Sequence, residues 1–194
     1  MLLSRLVIAS KNQHKIVEIL DVLASTGLEI ELVDDADWPD VAETETTLKG
    51  NALLKAREVR RHTGFAVIAD DTGLEVDALD GEPGVHSARF AGPDATYEEN
   101  VDELLRRMDG IEGRVARFRT VMVLIDDTGA ELVVDGVMEG SITNERRGTN
   151  GFGYDPVFLV GDQTFAEMGT AAKNKISHRA LALRALAAEL SRGA

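Results

Sequence analysis

Apolar residues in this chain come in short blocks whose period changes from about two to about 3.6 residues and back, as strands and helices alternate. Leu6-Val7-Ile8-Ala9 is too brief for a helix and rich in branched side chains, so it predicts a buried strand. Ile16, Ile19, Leu20 and Leu23 then recur at helical spacing, with Gly27 placed to stop the helix. Glu29 to Val33 alternates as a second strand. In such a β-α-β opening, the loop Ser10 to Lys15 lies beyond the carboxyl end of the first strand, where ligands of open α/β sheets bind. After an acidic stretch from Asp34 to Thr47, the pattern Leu48, Ala52, Leu53, Ala56 predicts a helix over Leu48 to Thr63. Lys55 and Arg57 read as its wet side. Phe65 to Ala69 is the next buried strand and ends on Asp70-Asp71. Thr72-Gly73 reads as a turn, with Leu74 to Leu79 alternating as a returning strand.

The second half continues the theme. Gly81-Glu82-Pro83-Gly84 breaks the pattern and opens a loop through Pro93. Thr96 and Glu99 have capping-box spacing ahead of a helix through Val101, Leu104, Leu105 and Met108, stopping at Gly110. Arg114 to Ile125 reads as a long strand, Asp126-Asp127-Thr128-Gly129 as a hairpin turn, and Glu131 to Met138 as the return arm. A glycine-rich loop, Gly148 to Pro156, leads into Val157-Phe158-Leu159-Val160. Ser177 is placed to cap a last helix through Leu181, Leu183, Leu186 and Leu190.

Composition narrows the chemistry. The 194 residues suffice for one domain with a substantial core. There is no cysteine, which excludes disulfides, thiolate metal sites and a cysteine nucleophile. A formal net charge of −13 argues against a nucleic-acid polymer as partner, although local cations can still hold a single nucleotide. No apolar run approaches the about 20 residues of a membrane span, and no signal-peptide pattern opens the chain, so the expectation is a soluble cytoplasmic protein.

Against that background three places carry candidate chemistry. Asp70-Asp71 pairs carboxylates at a strand end, and carboxylates suit a hard cation such as Mg²⁺. Ser10-Lys11-Asn12-Gln13-His14-Lys15 combines a helix N-terminus with two lysines, an arrangement suited to phosphate. The loop around Phe152 and Tyr154 pairs glycines, which allow close backbone approach, with aromatic rings on which a base could stack. Neither a GxGxxG fingerprint nor a Walker loop is present. Arg179 sits in the first turn of the last helix, against the helix dipole, and this reads as a ligand role. Asp126-Asp127-Thr128-Gly129 repeats the letters of Asp70-Asp71-Thr72-Gly73 in what reads as a plain hairpin, so the tetrad alone proves nothing.

With these residues in place, the chain resembles the inosine/xanthosine triphosphate pyrophosphatases nearly end to end. The landmarks are Ser10 to Lys15, Glu43-Thr44 ahead of Asn51-Ala52-Leu53-Leu54-Lys55-Ala56, Ala69 to Leu79, Pro83-Gly84-Val85-His86-Ser87-Ala88-Arg89, Gly151 to Phe158, and Ile176 to Arg179. The resemblance implies an α/β fold: one two-lobed domain over residues 1–194, with a long mixed sheet flanked by helices and a deep central cleft. It also implies a homodimer. By position, Ser10, Lys11, Asn12, Gln13, His14 and Lys15 match the phosphate loop. Glu43 and Asp71, with Asp70 beside them, match the metal ligands, and Asp71 matches the proton acceptor. Lys55, Thr72 and Lys173 match substrate contacts. Phe152, Gly153, Tyr154 and Asp155, with His178 and Arg179, match the part that holds the base. Ser10 stands for a more usual Thr, Thr72 for a common Ser, Lys11 for a frequent Gly, and Gly50 for a common Glu.

The implied reaction is Mg²⁺-dependent attack of water on the α-phosphorus of ITP, dITP or XTP, releasing the monophosphate and pyrophosphate. Lysines offset the triphosphate charge, and Arg179 donating to the keto oxygen would reject adenine. Two alternatives come from neighbouring classes. One is a septum-inhibition-type nucleotide pyrophosphatase with other base specificity, which Ser177-His178-Arg179 disfavours. The other is a catalytically silent nucleotide-binding regulator, which intact Glu43, Asp70 and Asp71 disfavour. A Nudix hydrolase lacks support, because no helix carries its Arg-Glu-x-x-Glu-Glu cluster.

Overall fold

A computed structural model describes residues 2–26, 29–33 and 35–192, so the helix stop expected at Gly27 and the first residue of the acidic stretch, Asp34, lie outside the described residues. The elements in chain order are β1 (Leu2–Ile8), α1 (Gln13–Ala24), β2 (Glu29–Leu32), α2 (Leu48–Thr63), β3 (Ala66–Val76), β4 (Pro83–Gly84), α3 (Tyr97–Arg107), β5 (Val115–Ile125), β6 (Glu131–Ile142), β7 (Phe158–Val160), β8 (Gln163–Thr164), α4 (Thr170–Ile176) and α5 (His178–Arg192). The sheet runs β2-β1-β3-β5-β6-β7-β8, with β4 on β3. It is mixed: β1 pairs in parallel with β2 and β3, whereas β4 on β3, β7 on β6 and β8 on β7 are antiparallel. The α/β expectation is met. No helix among the described residues is long and apolar enough to cross a membrane.

The chain divides into two compact units, and β3, β5 and β6 contribute residues to both. The first comprises Met1–Asp71, Thr120–Gly136 and Arg179–Ala194. Its core gathers Leu6 of β1, Ile19, Val22 and Leu23 of α1, Ala66 and Ile68 of β3, Met122 and Leu124 of β5, and Leu183 and Leu186 of α5. Each such aliphatic side chain contributes roughly 1.5–3 kcal/mol by leaving water. The second unit comprises Thr72–Arg119 and Val137–His178. Leu74, Val76, Val101, Leu104, Phe118, Phe158 and Phe165 form its centre, where Phe118 and Phe158 lie 4.6 Å apart between ring centroids.

Local signals in the sequence are realised where they are local. Thr47 caps α2 by accepting from Gly50 N–H, and Gly64 closes that helix at φ 73°. Thr96 and Glu99 form the capping box of α3. Asp126 Oδ1 accepts from Thr128 N–H at 2.8 Å and Ala130 N–H at 3.0 Å, which builds the hairpin turn between β5 and β6. One expectation fails. Asp70-Asp71-Thr72-Gly73 is no turn, and Leu74 to Leu79 is no returning strand. Instead β3 runs unbroken to Val76, and a single 3-10 turn follows at Asp77–Leu79. Leu74 and Val76 are fully buried, so the apolar period carries the strand onward. Of the letters that mimic a turn, Asp70 is engaged by Lys15 and Arg179, and Asp71 by Asn51.

Candidate active site

The first unit assembles a buried ionic centre. Asp70 and Asp71 are consecutive in an extended strand, so their side chains leave opposite faces of the sheet. Their partners differ accordingly. Asp70 Oδ2 is held by Lys15 Nζ at 3.1 Å and Arg179 Nη2 at 3.2 Å, while Arg179 Nη1 also binds the buried Glu18. Asp71 Oδ2 accepts from Asn51 Nδ2 at 3.2 Å. Lys55 Nζ binds Glu43 Oε1 at 2.6 Å and donates to the Asp70 carbonyl at 2.9 Å. Lys55 is therefore inward-facing, not on the wet side of α2. Arg57 is exposed and paired with Glu131.

These neighbours split the two aspartates electrostatically. Burial alone would raise the Asp70 carboxyl, but Lys15, Arg179 and Lys55 overrule it and hold it far below the usual carboxylate range. Burial and then the adjacent Glu43 charge push Asp71 up to about 6, opposed by Lys55, Lys15 and the Asn51 hydrogen bond. For Lys55, burial opposes the charged form, yet Asp70, Glu43 and Asp71 together raise it above its ordinary value. Burial and Glu43 thus make Asp71 the more readily protonated of the two carboxylates, whereas the surrounding cations keep Asp70 charged.

The donor set at Glu43 and Asp71 fits a hard divalent cation. Both groups are carboxylates, close enough to repel, and a lysine supplies the neutralising charge at Glu43. No group of three acidic, His or Cys side chains able to hold a metal gathers among the described residues. Two carboxylates suffice for Mg²⁺, which keeps several waters and draws its remaining ligands from substrate phosphates. Asp70 is engaged by Lys15 and Arg179 on the opposite face of the strand from Asp71.

In the loop from Ser10 to Lys15, Asn12 is the N-cap of α1 and accepts from His14 N–H and Lys15 N–H. Ser10 Oγ accepts from Asn12 N–H at 3.2 Å. His14 is exposed, Gln13 begins α1, and Lys11 Nζ reaches Asp40 at 2.5 Å on the surface. The loop is formed by side-chain capping, and only Lys15 of its two lysines turns toward the buried aspartate.

The second unit assembles another set. Lys173 of α4 and Asp155 are both buried and pair at 2.5 Å. Asp155 Oδ2 also accepts from Phe152 N–H at 2.9 Å. Lys173 Nζ lies 5.1 Å from the Phe152 ring centroid, and the Phe152 ring lies 5.9 Å from that of Tyr97. His178 is buried with its ring 4.6 Å from that of Phe118. Gly153 has φ 61°, and Thr72 continues β3. Gly151 is required: at φ 76°, a Cβ there would lie 2.0 Å from Asp155 Oδ2. Gly151→Ala should therefore cost at least the roughly 1–2 kcal/mol of a left-handed residue and displace Asp155 from Lys173, read as a fall in Tm.

Two sequence readings change. Tyr154 is no stacking surface: it is buried, its hydroxyl donates to Ser87 O at 2.9 Å, and burial raises its pKa well above an ordinary phenol. The position of Arg179 against the dipole is explained by Glu18 and Asp70, which engage both arms of its guanidinium. Glu18 and Asn51 were not singled out by the sequence reading. Their signal was present in each case as a polar residue on a buried helical stripe: Glu18 with Ile19, Val22 and Leu23, and Asn51 with Leu48, Ala52 and Ala56.

Comparison with known proteins finds relatives over nearly the whole chain. The sequence profile of the Ham1 family matches residues 6–189. A dITP/XTP pyrophosphatase of Methylococcus capsulatus is 48% identical over 193 residues, covering 96% of each chain. One of Bacillus licheniformis is 46% identical, covering 97% of this chain and 98% of the other. Among solved structures, a HAM1 protein from Coxiella burnetii superposes with TM-score 0.88 at 40% identity, over 99% of this chain and 100% of its own. A nucleoside-triphosphatase / dITP/XTP pyrophosphatase from Mycobacterium abscessus gives TM-score 0.75 at 42% identity, over 98% and 100%.

Proposed function

The chain belongs to the Ham1 family, and from that premise we propose that it hydrolyses the triphosphates of deaminated purines, ITP, dITP and XTP, to monophosphate and pyrophosphate. The observation that carries this reading is the divided pair on β3: Asp70 locked as an anion, Asp71 raised to about 6 beside Glu43. Pyrophosphate release by water attack needs one group to take a proton and several to neutralise charge. Asp71 is the acceptor for the water proton. Glu43 and Asp71 would hold Mg²⁺, which polarises the phosphate and lowers the pKa of a nearby water. Lys15 and Lys55 already lie among the carboxylates and offset the triphosphate charge, with Ser10 to His14 and Thr72 supplying polar contacts.

Base selection falls to Phe152, Asp155, Lys173 and His178. Lys173 offers a donor to a keto oxygen, and Asp155 an acceptor to a protonated ring nitrogen. Adenine presents the opposite polarity at both positions, which leaves buried groups unpaired and is heavily penalised. Assaying a panel of NTPs and dNTPs for pyrophosphate against orthophosphate tests the reading. ITP, dITP and XTP should lead with pyrophosphate as product, and preferential turnover of ATP would contradict it.

The protein works as a cytoplasmic homodimer in this account, with no nucleic-acid polymer or membrane as partner. Two-fold association is the commonest closed symmetry among soluble homo-oligomers. Light scattering should give about twice the 21.0 kDa chain mass at micromolar concentration, and a monomer there would refute the dimer.

A further inference from the structure

Glu43 lies in a stretch between β2 and α2 that has no regular secondary structure from residue 35 to Thr47, so something must fix where its carboxylate stands relative to Asp71. The stretch closes tightly onto the start of α2. A Cβ at Gly50 would lie 2.7 Å from Glu45 Cβ, so the glycine lets the stretch come this close to the helix. One residue later, Asn51 is completely buried, and both ends of its amide are used. Oδ1 accepts from the backbone N–H of Glu45 at 2.9 Å, two residues beyond Glu43, while Nδ2 donates to Asp71 Oδ2 at 3.2 Å.

An amide has one accepting and one donating end, so the Glu45 N–H dictates which end faces Asp71. The donor in turn fixes the rotation of the Asp71 carboxylate. We propose that Asn51 is the positioning residue of the metal site, a bridge that sets the orientation of Asp71 and its separation from Glu43. This rests on the metal reading above and deepens it. Asn51 touches neither substrate nor cation in this scheme and acts through Asp71 and through the backbone at Glu45 that follows Glu43. Partners of this kind typically tune metal affinity ten- to hundred-fold.

The test is Mn²⁺ affinity measured by electron paramagnetic resonance without nucleotide. Asn51→Leu keeps the volume and removes both hydrogen bonds, and Asn51→Ser is the variant to use if the apolar one does not fold. Both should bind Mn²⁺ about ten- to hundred-fold more weakly than the parent. Asn100→Leu is the control. Asn100 is also buried with both amide ends used, to Ala91 N–H and Ala88 O, but in the second unit. It should lose thermal stability and retain parental Mn²⁺ affinity. Asn51 variants that lose stability yet bind Mn²⁺ as tightly as the parent would reduce Asn51 to a packing residue and overturn the proposal. So would a parent protein that binds no Mn²⁺. Failure of ITP to yield pyrophosphate would refute the proposed reaction instead, leaving the effect of Asn51 on Mn²⁺ to be judged separately.

Discussion

Asp71→Asn abolishes turnover while the protein stays folded. The amide cannot take a proton from water and is a weaker ligand for a hard cation, so two contributions to the same step vanish together. Removing a general base alone typically costs 10²–10⁴-fold, so a loss of at least about 10³ in kcat at saturating Mg²⁺ is the expected result. Stability should change little, because neutralising Asp71 relieves both its burial penalty and its repulsion from Glu43. A loss of only a few-fold would remove Asp71 as the principal carboxylate. Asp127→Asn is the matched control. The second tetrad is a hairpin built by Asp126, and Asp127 contributes to it the backbone carbonyl that Arg60 binds at 2.9 Å. That variant should be silent in both activity and Tm.

Arg179→Met destabilises the protein and lowers activity on every nucleotide alike. Arg179 is 1% exposed and neutralises Glu18 and Asp70, which are 7% and 1% exposed. Methionine conserves much of the volume but removes the cation that the two buried carboxylates share. Breaking a buried ionic cluster by removing one partner typically costs about 3–5 kcal/mol. Thermal unfolding measures that loss. Kinetics supply the discriminating readout: the ratio of kcat/KM for ITP to that for ATP should stay near its parental value. A selective loss for ITP with unchanged stability would instead make Arg179 the purine donor that its helix position invites.

How far the sequence was legible follows from the range of each interaction. The capping box at Thr96 and Glu99, the extent of α2, and the Asp126 hairpin depend on residues within a turn of one another, and all are as the pattern predicts. Asp70-Asp71-Thr72-Gly73 has the same letters as that hairpin but obeys different forces. Arg179 reaches Asp70 across 109 residues and Glu18 across 161. No local window shows that a carboxylate will be met by a guanidinium from the other end of the chain. α4 has seven residues and no apolar period, so it went unread despite carrying Lys173. Tyr154 was misread for a related reason. A glycine-rich setting says that backbone comes close to something; here Gly148 lies against the Ala166 backbone and Gly151 against Asp155, while the Tyr154 hydroxyl is taken by the Ser87 carbonyl. Glu43 was legible as a candidate only through the family resemblance, since a glutamate in an irregular acidic stretch carries no periodic signal, whereas Asp70-Asp71 and Ser10 to Lys15 stood out by themselves.

Turnover of ITP in ¹⁸O-labelled water tests the central claim most directly. If water activated at Asp71 attacks the α-phosphorus, the label appears in the phosphate of IMP and the released pyrophosphate is unlabelled. Label in pyrophosphate, or release of labelled orthophosphate, would place the attack at the β- or γ-phosphorus and contradict the account.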